Sequence, residues 1–438
     1  EDASVNSGQR YISAVKGVAA GGGYELALAT DYILLADDGN SAVSLPEVPL
    51  LAVLPGTGGL TRVTDKRKVR RDRADIFCTI EEGVRGQRAV DWRLVDEVIP
   101  RSRFTDTVQQ RAIEFAKESD RPDGEKGVEL IPLSRVVDAD SVNYDCVSID
   151  IDRKKRTATI VLKALDLEAA GLTVDEAVSQ GAGFWPLAVC RQLDDAILHL
   201  RTNEAEVGTL IFKTEGDIDA VEAYDGFVNK NQTNWFLREV KLYWARTLKR
   251  IDLTSRTTMA FIDQGSCFAG VFADILFSVD RSYMLEDQFK GDSRPAPAIR
   301  LSEGCFGLWP MSNGISRLET RFLGEPDSYE LAKTKVGQNL DASACEELGL
   351  VTYTLDCLDW EDELRVVTEE RASYSPDCLT GMEANLRFAG PETMETKIFG
   401  RLTAWQNWIF QRPNAVGKKG ALQLYGTGVR ADYDMNRV

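Results

Sequence analysis

The sequence has 438 residues and a formal net charge of −17, with 43% hydrophobic and 28% charged residues. This length predicts two or three domains, because a single hydrophobic core rarely grows beyond about 250–300 residues. The negative charge argues against a general nucleic-acid-binding protein. No apolar run approaches the roughly twenty residues of a membrane span, and no signal peptide is recognisable, so we expect a cytoplasmic protein with no membrane partner.

Residues that build metal sites and nucleophilic triads are scarce or scattered. The chain has one histidine, His199, and eight cysteines without a C-x-x-C pair. This pattern indicates neither a zinc site nor a disulfide framework, and we expect most cysteines to lie in the core. For an enzyme, carboxylates are the expected proton carriers, and no metal or other cofactor is expected.

A glycine triplet opens the first motif of the chain. The stretch GVAAGGGYELALATD places Gly21, Gly22 and Gly23 before a predicted helix with Glu25 in its first turn. Glycine allows a tight turn, and the start of a helix presents free N–H donors and the positive end of the dipole. The run YILLA (32–36) then suits a buried strand. The motif therefore predicts an anion-binding turn beside a carboxylate.

A second carboxylate follows in the stretch SLPEVP. Pro46 and Pro49 flank Glu47, and we expect them to hold it in an extended loop. Together the two motifs predict an anion pocket flanked by Glu25 and Glu47. Each residue also has an ordinary interpretation, since Glu25 suits a helix dipole and Glu47 a solvated loop.

A second copy of this pattern lies about 250 residues further along the chain. The stretch RYISAVKGVAAGGGYELALATDYILLADD is echoed by TTMAFIDQGSCFAGVFADILFSVDRSYMLED, and LPEVPLLAVLPGTGGLTRV by LSEGCFGLWPMSNGISRLE. A repeat of this length is typical of two homologous domains and not of a solenoid. The second copy has over a hundred residues ahead of its glycine turn and the first about a dozen. We therefore expect the first unit to lack its N-terminal part.

The predicted domain organisation follows from this repeat. Residues 117–141 are polar with Pro and Gly and are expected to form a linker. The C-terminal portion of the first unit then occupies 1–116, the second, degenerate unit 142–388, and a helical C-terminal extension with its tail 389–438.

The chain resembles the crotonase (enoyl-CoA hydratase/isomerase) superfamily in an ordered series of motifs: AVKGVAAGGGYELALATD, LPEV, LPGTGGLTR and GQRAVDWRLVDEVIP. The resemblance implies an α/β fold of two crotonase-like units built from ββα repeats. It implies an acyl-CoA substrate, no cofactor, and a homo-oligomer, expected to be a dimer. It assigns an oxyanion-hole N–H to Gly22, with Gly21 and Gly23 beside the substrate. It assigns the acid/base carboxylates to Glu25 and Glu47.

A basic run, KRKVRRDR (66–73), holds six basic residues in eight. Charge runs of this kind usually form a solvated helix face. The alternative interpretation is that Arg70 and Arg71 contact the phosphates of CoA.

The second copy is expected to be catalytically inactive. Asp274 and Glu303 take the places of the two carboxylates, but Val271 and Phe272 stand where the first copy has glycines. Their bulk fills the space in which a thioester would lie against the backbone.

Two further stretches, TDKRKVRRDRADIFCTIEEG and ALQLYGTGVRADYDMNRV, narrow the resemblance to ring-opening lyases of the superfamily. The implied reaction opens the ring epoxide of 2,3-epoxybenzoyl-CoA with water, cleaves a carbon–carbon bond and releases formate. Two alternatives stay open. One is an enoyl-CoA hydratase or isomerase, which would use the same residues. The other is a non-catalytic acyl-CoA-binding or assembly module.

Overall fold

The computed structural model describes residues 1–119, 124, 126–164 and 171–437. The chain divides into two compact units, Glu1–Lys126 (unit 1) and Gly127–Val438 (unit 2). Residues 120–123 and 125 of the predicted linker lie outside the described part. None of the described helices combines the length and the apolar character that crossing a bilayer requires.

Unit 1 is an α/β unit with two small parallel sheets. Its strands are β1 (Ile12–Val15), β2 (Val18–Ala20), β3 (Tyr32–Asp37), β4 (Ala42–Ser44) and β5 (Glu97–Pro100). Its helices are α1 (Asp2–Asn6), α2 (Gly22–Ala29), α3 (Glu47–Leu51), α4 (Gly59–Thr61), α5 (Arg71–Phe77), α6 (Gly86–Asp91) and α7 (Phe104–Ala116). Strand β3 lies between β1 and β5, and β2 pairs with β4. The predicted helix and buried strand after the glycine triplet are thus α2 and β3.

The core of unit 1 fixes the helix that carries Glu25. Tyr24 and Leu28 of α2 are fully buried, as expected for residues four apart on one helix face. The Tyr24 ring meets Phe77 edge-on, with centroids 5.6 Å apart. Its hydroxyl donates to the Leu94 carbonyl at 2.8 Å, so the buried polar group is satisfied. These contacts hold the N-terminal turn of α2 in place.

Unit 2 is larger and is organised around a mixed eight-stranded sheet. Its strands are β6 (Val136–Val137), β7 (Ser141–Asn143), β8 (Val147–Asp152), β9 (Thr157–Ala164), β10 (Thr209–Gly216), β11 (Thr257–Ile262), β12 (Phe268–Ala269), β13 (Arg281–Leu285), β14 (Ile299–Arg300), β15 (Asn339–Leu340) and β16 (Tyr353–Leu355). Its helices are α8 (Val174–Gln180), α9 (Trp185–Asn203), α10 (Ile218–Lys230), α11 (Trp235–Asp252), α12 (Gly270–Ser278), α13 (Arg317–Arg321), α14 (Pro326–Lys333), α15 (Ala342–Glu347), α16 (Trp360–Ala372), α17 (Pro376–Leu386), α18 (Met394–Lys397), α19 (Thr403–Ile409), α20 (Pro413–Val416) and α21 (Ala421–Leu424). The sheet order is β16-β13-β11-β10-β9-β8-β7-β6.

The internal repeat predicted from the sequence is visible in the strand order. Strands β11, β13 and β16 pair in parallel in the same succession as β1, β3 and β5. Helix α12 connects β12 to β13 as α2 connects β2 to β3, and β12 pairs with β14 as β2 pairs with β4. Each unit therefore contains the same ββα arrangement, which confirms the prediction of two related units.

The remaining strands of unit 2 extend its sheet on one side. Strands β6 to β9 form successive antiparallel pairs, and β9 joins β10 in parallel. Strand β6 lies within the last part of the predicted linker, where two adjacent valines give strand-forming side chains.

The C-terminal region is helical, as predicted. Helices α18 and α19 are joined through a π-helical turn, Ile398–Leu402, into one helical segment. After α21 the chain has no regular structure up to Arg437. The Arg437 guanidinium is buried and donates to Glu383 at 2.7 Å and to the Gly208 carbonyl at 2.9 Å. The tail is therefore anchored to the core of unit 2 through Arg437.

Candidate active site

The glycine triplet forms the N-terminal turn of α2. Gly21 is the N-cap with φ 55° and ψ −129°, a left-handed conformation that glycine adopts without strain. Its N–H donates to the Ser44 carbonyl at 3.0 Å. The first N–H groups of a helix have no intrahelical acceptor, and within the described residues none is assigned to Gly22 or Gly23. The donors left for a ligand at this turn are thus those of Gly22 and Gly23.

The carboxylate of Glu25 is buried and held by two donors. Only 6% of the residue is exposed. Its Oε1 accepts from the Gly59 N–H at 2.7 Å, and its Oε2 accepts from the Thr57 hydroxyl at 2.5 Å. Gly59 is required at its position, since a Cβ there would lie 2.8 Å from Glu25 Oε1. The loop before α4 therefore fixes both oxygens of Glu25.

Glu47 begins helix α3 and does not lie in an extended loop, so that part of the prediction is wrong. Pro46 is the N-cap and Pro49 falls in the first turn of the helix. Proline is tolerated there because the first N–H groups have no helical acceptor to lose. The Leu50 N–H donates to the Pro46 carbonyl at 3.1 Å, which closes the turn.

The Glu47 side chain is buried beside the glycine turn. The residue is 8% exposed, and its Oε2 has no hydrogen-bond partner among the described residues. A Cβ on Gly21 would lie 3.0 Å from Glu47 Oε1, so the bare glycine makes room for this carboxylate. The Gly21 carbonyl also accepts from the Glu25 N–H at 2.9 Å. The turn at Gly21 is therefore the point at which the elements of both glutamates meet.

Cys78 lies close enough to Glu47 to be affected by its charge. Burial, and secondarily the charge of Glu47, raise the pKa of the Cys78 thiol to about 11. A thiol of this kind stays protonated near neutral pH and is a poor nucleophile. Cys78 therefore adds no negative charge beside Glu47 near neutral pH.

The segments that carry the two glutamates also carry exposed apolar side chains. On and after α3 the large apolar residues are solvent-exposed, namely Val48, Leu50, Leu51, Val53 and Leu54. Leu26, which follows Glu25 in α2, is 71% exposed. The two glutamates thus belong to segments with apolar rims, which suit a ligand with an apolar body.

The basic run lies on the surface and is partly used by the fold. Lys66 donates to the Leu28 carbonyl, and Nη1 of Arg67 donates to both carboxylate oxygens of Asp96 at 3.0 Å. Arg70 is exposed and pairs with Asp72 at 2.5 Å. Arg71 is exposed too, and among the described residues neither Arg70 nor Arg71 contacts a site carboxylate.

The corresponding turn in unit 2 is filled with side chains. Val271 and Phe272 are buried at the start of α12. The Phe272 ring meets Trp185 and Trp244 edge-on, with centroids 5.7 and 6.0 Å away. Aromatic packing thus occupies the space that a ligand would need at this helix N-terminus.

The two residues that replace the glutamates in unit 2 lie in opposite environments. Asp274 is buried, and burial raises its pKa to about 7 against the opposing effect of Arg317, whose Nη1 lies 3.6 Å away. Arg317 is itself paired with Asp252 at 2.6 Å. Glu303 is exposed. Because one carboxyl is buried and the other is exposed, Asp274 and Glu303 do not form a pair of acid/base residues.

The sequence analysis did not assign roles to Thr57, Gly59 or Ser44, all of which contact the site. The signal for the first two was the motif LPGTGGLTR, in which a hydroxyl residue and three glycines follow a proline. Among the described residues, no group of three His, Cys, Asp or Glu side chains is arranged to hold a metal ion.

Comparison with known proteins decides the family. Residues 5–122 match the family model of enoyl-CoA hydratase/isomerase. All 438 residues align with benzoyl-CoA-dihydrodiol lyase of Aromatoleum evansii at 53% identity, covering 78% of that protein. The chain belongs to the benzoyl-CoA-dihydrodiol lyase family. This membership confirms the predicted resemblance to the crotonase superfamily and its α/β fold.

Other similarities of this lyase-family chain are more limited. A segment of 136 residues, 31% of the chain, is 31% identical to the fatty acid oxidation complex subunit alpha of Idiomarina loihiensis and covers 18% of that protein. The crystal structure of an enoyl-CoA hydratase from Bacillus anthracis is 14% identical. The match covers 67% of this chain and 100% of the hydratase chain, with a TM-score of 0.47.

Proposed function

We propose that this protein is a carbon–carbon lyase that opens the ring of an epoxidised benzoyl-CoA thioester. The observation that carries the proposal is the 53% identity with benzoyl-CoA-dihydrodiol lyase over the whole chain. The substrate is 2,3-epoxy-2,3-dihydrobenzoyl-CoA. The products are 3,4-didehydroadipyl-CoA semialdehyde and formate.

The reaction balances with two water molecules and needs no external oxidant or reductant. One water adds to the epoxide and gives a dihydrodiol. Cleavage of a ring carbon–carbon bond with the second water releases one carbon as formate. The other six acyl carbons remain as an open-chain thioester that ends in an aldehyde.

The thioester oxygen is the electron sink of this scheme. Negative charge develops on it as the carbon–carbon bond breaks, and N–H donors aimed at it lower the barrier. The Gly22 N–H serves this role, with Gly23 next to it at the same helix start. The absence of an assigned acceptor for these groups in the described residues supports the assignment.

The two glutamates move the protons. Glu47 has a buried oxygen without a partner, which suits a group that takes up and delivers a proton. Glu25 accepts one hydrogen bond on each oxygen and keeps lone pairs free for a water molecule. We assign water activation to Glu25 and protonation of the leaving oxygen to Glu47.

The substrate is expected to contact the protein through its nucleotide as well. Arg71 is exposed, and Arg70 has only the exposed partner Asp72. Both remain candidates for the CoA phosphates, with Arg71 the freer of the two.

We also propose that the protein works in the cytoplasm as a homodimer. Exposed apolar residues on the C-terminal helical segment support self-association, namely Met394, Phe399, Leu402 and Phe410. Sedimentation velocity on the purified protein measures the oligomeric state, and a monomer at micromolar concentration would contradict this part.

The function is tested by product analysis. The protein is incubated with 2,3-epoxybenzoyl-CoA, and separately with crotonyl-CoA, with and without a chelator. We expect one formate per ring opened in the first reaction, with no effect of the chelator. A product that retains all ring carbons would favour a hydratase. Thioester binding without turnover of either compound would favour a non-catalytic module.

A further inference from the structure

We infer that Thr57 is a positioning residue that fixes the carboxylate of Glu25 for catalysis. The inference rests on the proposed function, in which Glu25 activates water. The Thr57 hydroxyl donates to Glu25 Oε2 at 2.5 Å, while the Gly59 N–H donates to Oε1 at 2.7 Å. The two donors are two residues apart in the chain, one just before α4 and one at its first residue. They bind the two different oxygens of one carboxylate.

The loop that carries Thr57 is itself anchored. The Thr57 carbonyl accepts a hydrogen bond from Arg62 Nη1 at 2.7 Å. Gly58 has φ 107°, a conformation that favours glycine and turns the chain between the two donors. The Arg62 guanidinium also lies against the Gly58 backbone, where a Cβ would clash with it. The position of the hydroxyl is therefore set by the fold and not by a freely moving surface loop.

The Thr57 hydroxyl prevents a rotation of the Glu25 carboxylate that the Gly59 N–H alone would allow. With the Gly59 N–H alone, the carboxylate could pivot about the Oε1 contact and move Oε2 away from the substrate. A second donor on Oε2 fixes the carboxylate plane, and fixed geometry of this kind is what a group acting on bound water requires. Among the described residues Glu47 has no such pair of donors, so the effect of Thr57 is confined to Glu25.

The test uses two substitutions at Thr57 and a matched control. Thr57→Val keeps the branched shape and deletes the hydroxyl, and Thr57→Ser keeps the hydroxyl. Thr61→Val makes the same change four residues later, where no described contact links the hydroxyl to either carboxylate. Steady-state kinetics with 2,3-epoxybenzoyl-CoA are measured for the wild type and each variant, with formate as the product, so that kcat and KM are obtained separately.

We expect Thr57→Val to lower kcat about 10- to 100-fold, the range for losing a hydrogen bond to a charged group. KM should stay within about twofold, because the thioester contacts are intact. Thr57→Ser should restore most of the rate, and Thr61→Val should match the wild type.

The outcomes separate this inference from the proposed function. If the wild type turns the substrate over and Thr57→Val has an unchanged kcat, only the role of Thr57 is overturned. Equal losses in Thr57→Val and Thr57→Ser would also overturn it, because they would indicate a packing role. If the wild type releases no formate, the proposed function fails. The contact is then decided by amide exchange at residues 54–60, expected to be faster in Thr57→Val than in Thr61→Val.

Discussion

Replacing the buried Asp274 of unit 2 by asparagine should change how stability depends on pH. The carboxyl lies at the position that corresponds to Glu25 but is packed inside the protein beside Arg317. Burial raises its pKa to about 7. In the pH range from about 4 to 7, the folded protein therefore holds a proton there that the unfolded chain has released. The stability of the wild type should fall as the pH rises through this range and level off above it.

The size of the effect follows from the shift. A change from 3.8 to about 7 is roughly three pKa units, and each unit corresponds to about 1.4 kcal/mol. Asparagine keeps the size of the side chain and has no charge to bury, and Arg317 retains its pairing with Asp252 at 2.6 Å. The free energy of unfolding of Asp274→Asn, relative to the wild type, should therefore rise by up to about 4 kcal/mol between pH 4 and pH 8.

Urea unfolding followed by tryptophan fluorescence measures this difference. Of the eight tryptophans, all except Trp92 lie in unit 2, so the signal reports mainly on that unit. Glu303→Gln is the control, because Glu303 is exposed and its replacement removes a solvated charge. A difference between Asp274→Asn and the wild type that stays constant from pH 4 to 8, or that turns against the variant as the pH rises, would refute the reasoning.

Three further predictions concern unit 1, which carries the candidate active site. Glu25→Gln and Glu47→Gln should each lower turnover about a hundredfold or more while the CoA thioester still binds. The control Glu303→Gln should turn over like the wild type. Near-full activity of Glu25→Gln or of Glu47→Gln would exclude that residue as a proton carrier. Gly22→Pro deletes one N–H at a helix position that accepts proline, so kcat should fall about a hundredfold with an unchanged circular dichroism spectrum; an unchanged kcat would remove Gly22 from the oxyanion hole. Arg71→Glu should raise the KM of CoA esters more than that of short thioesters lacking the nucleotide, and more at low salt; equal effects on both would leave the basic run without a substrate role.

Sequence patterns predicted the parts of the fold that depend on local regularities. The helix at Gly22–Ala29 and the strand at Tyr32–Asp37 follow from glycine placement and apolar periodicity. The repeat was also predictable, because it preserves the order of these patterns. The filled turn of unit 2 followed from the volume of Val271 and Phe272 alone.

Contacts between distant segments were not predictable in the same way. Thr57 and Glu25 are 32 residues apart, and neither side chain carries a sign of its partner in the local sequence. The helix at Glu47 was missed because two flanking prolines usually indicate extended chain, whereas both occupy N-terminal helix positions here. In each case the tertiary arrangement, and not the local preference, decided the outcome.

The buried guanidinium of Arg437 has a consequence for how the protein is made. Its partners Glu383 and Gly208 precede it by 54 and 229 residues. A ribosome adding about 5–20 residues per second needs roughly 3–10 s to travel from Glu383 to Arg437. During that interval the Glu383 carboxylate has its buried partners Thr257 and Arg371 but still lacks Arg437. The ion-pair cluster around Glu383 should therefore close only after Arg437 has been made, as the last step in a core whose other members are already in place.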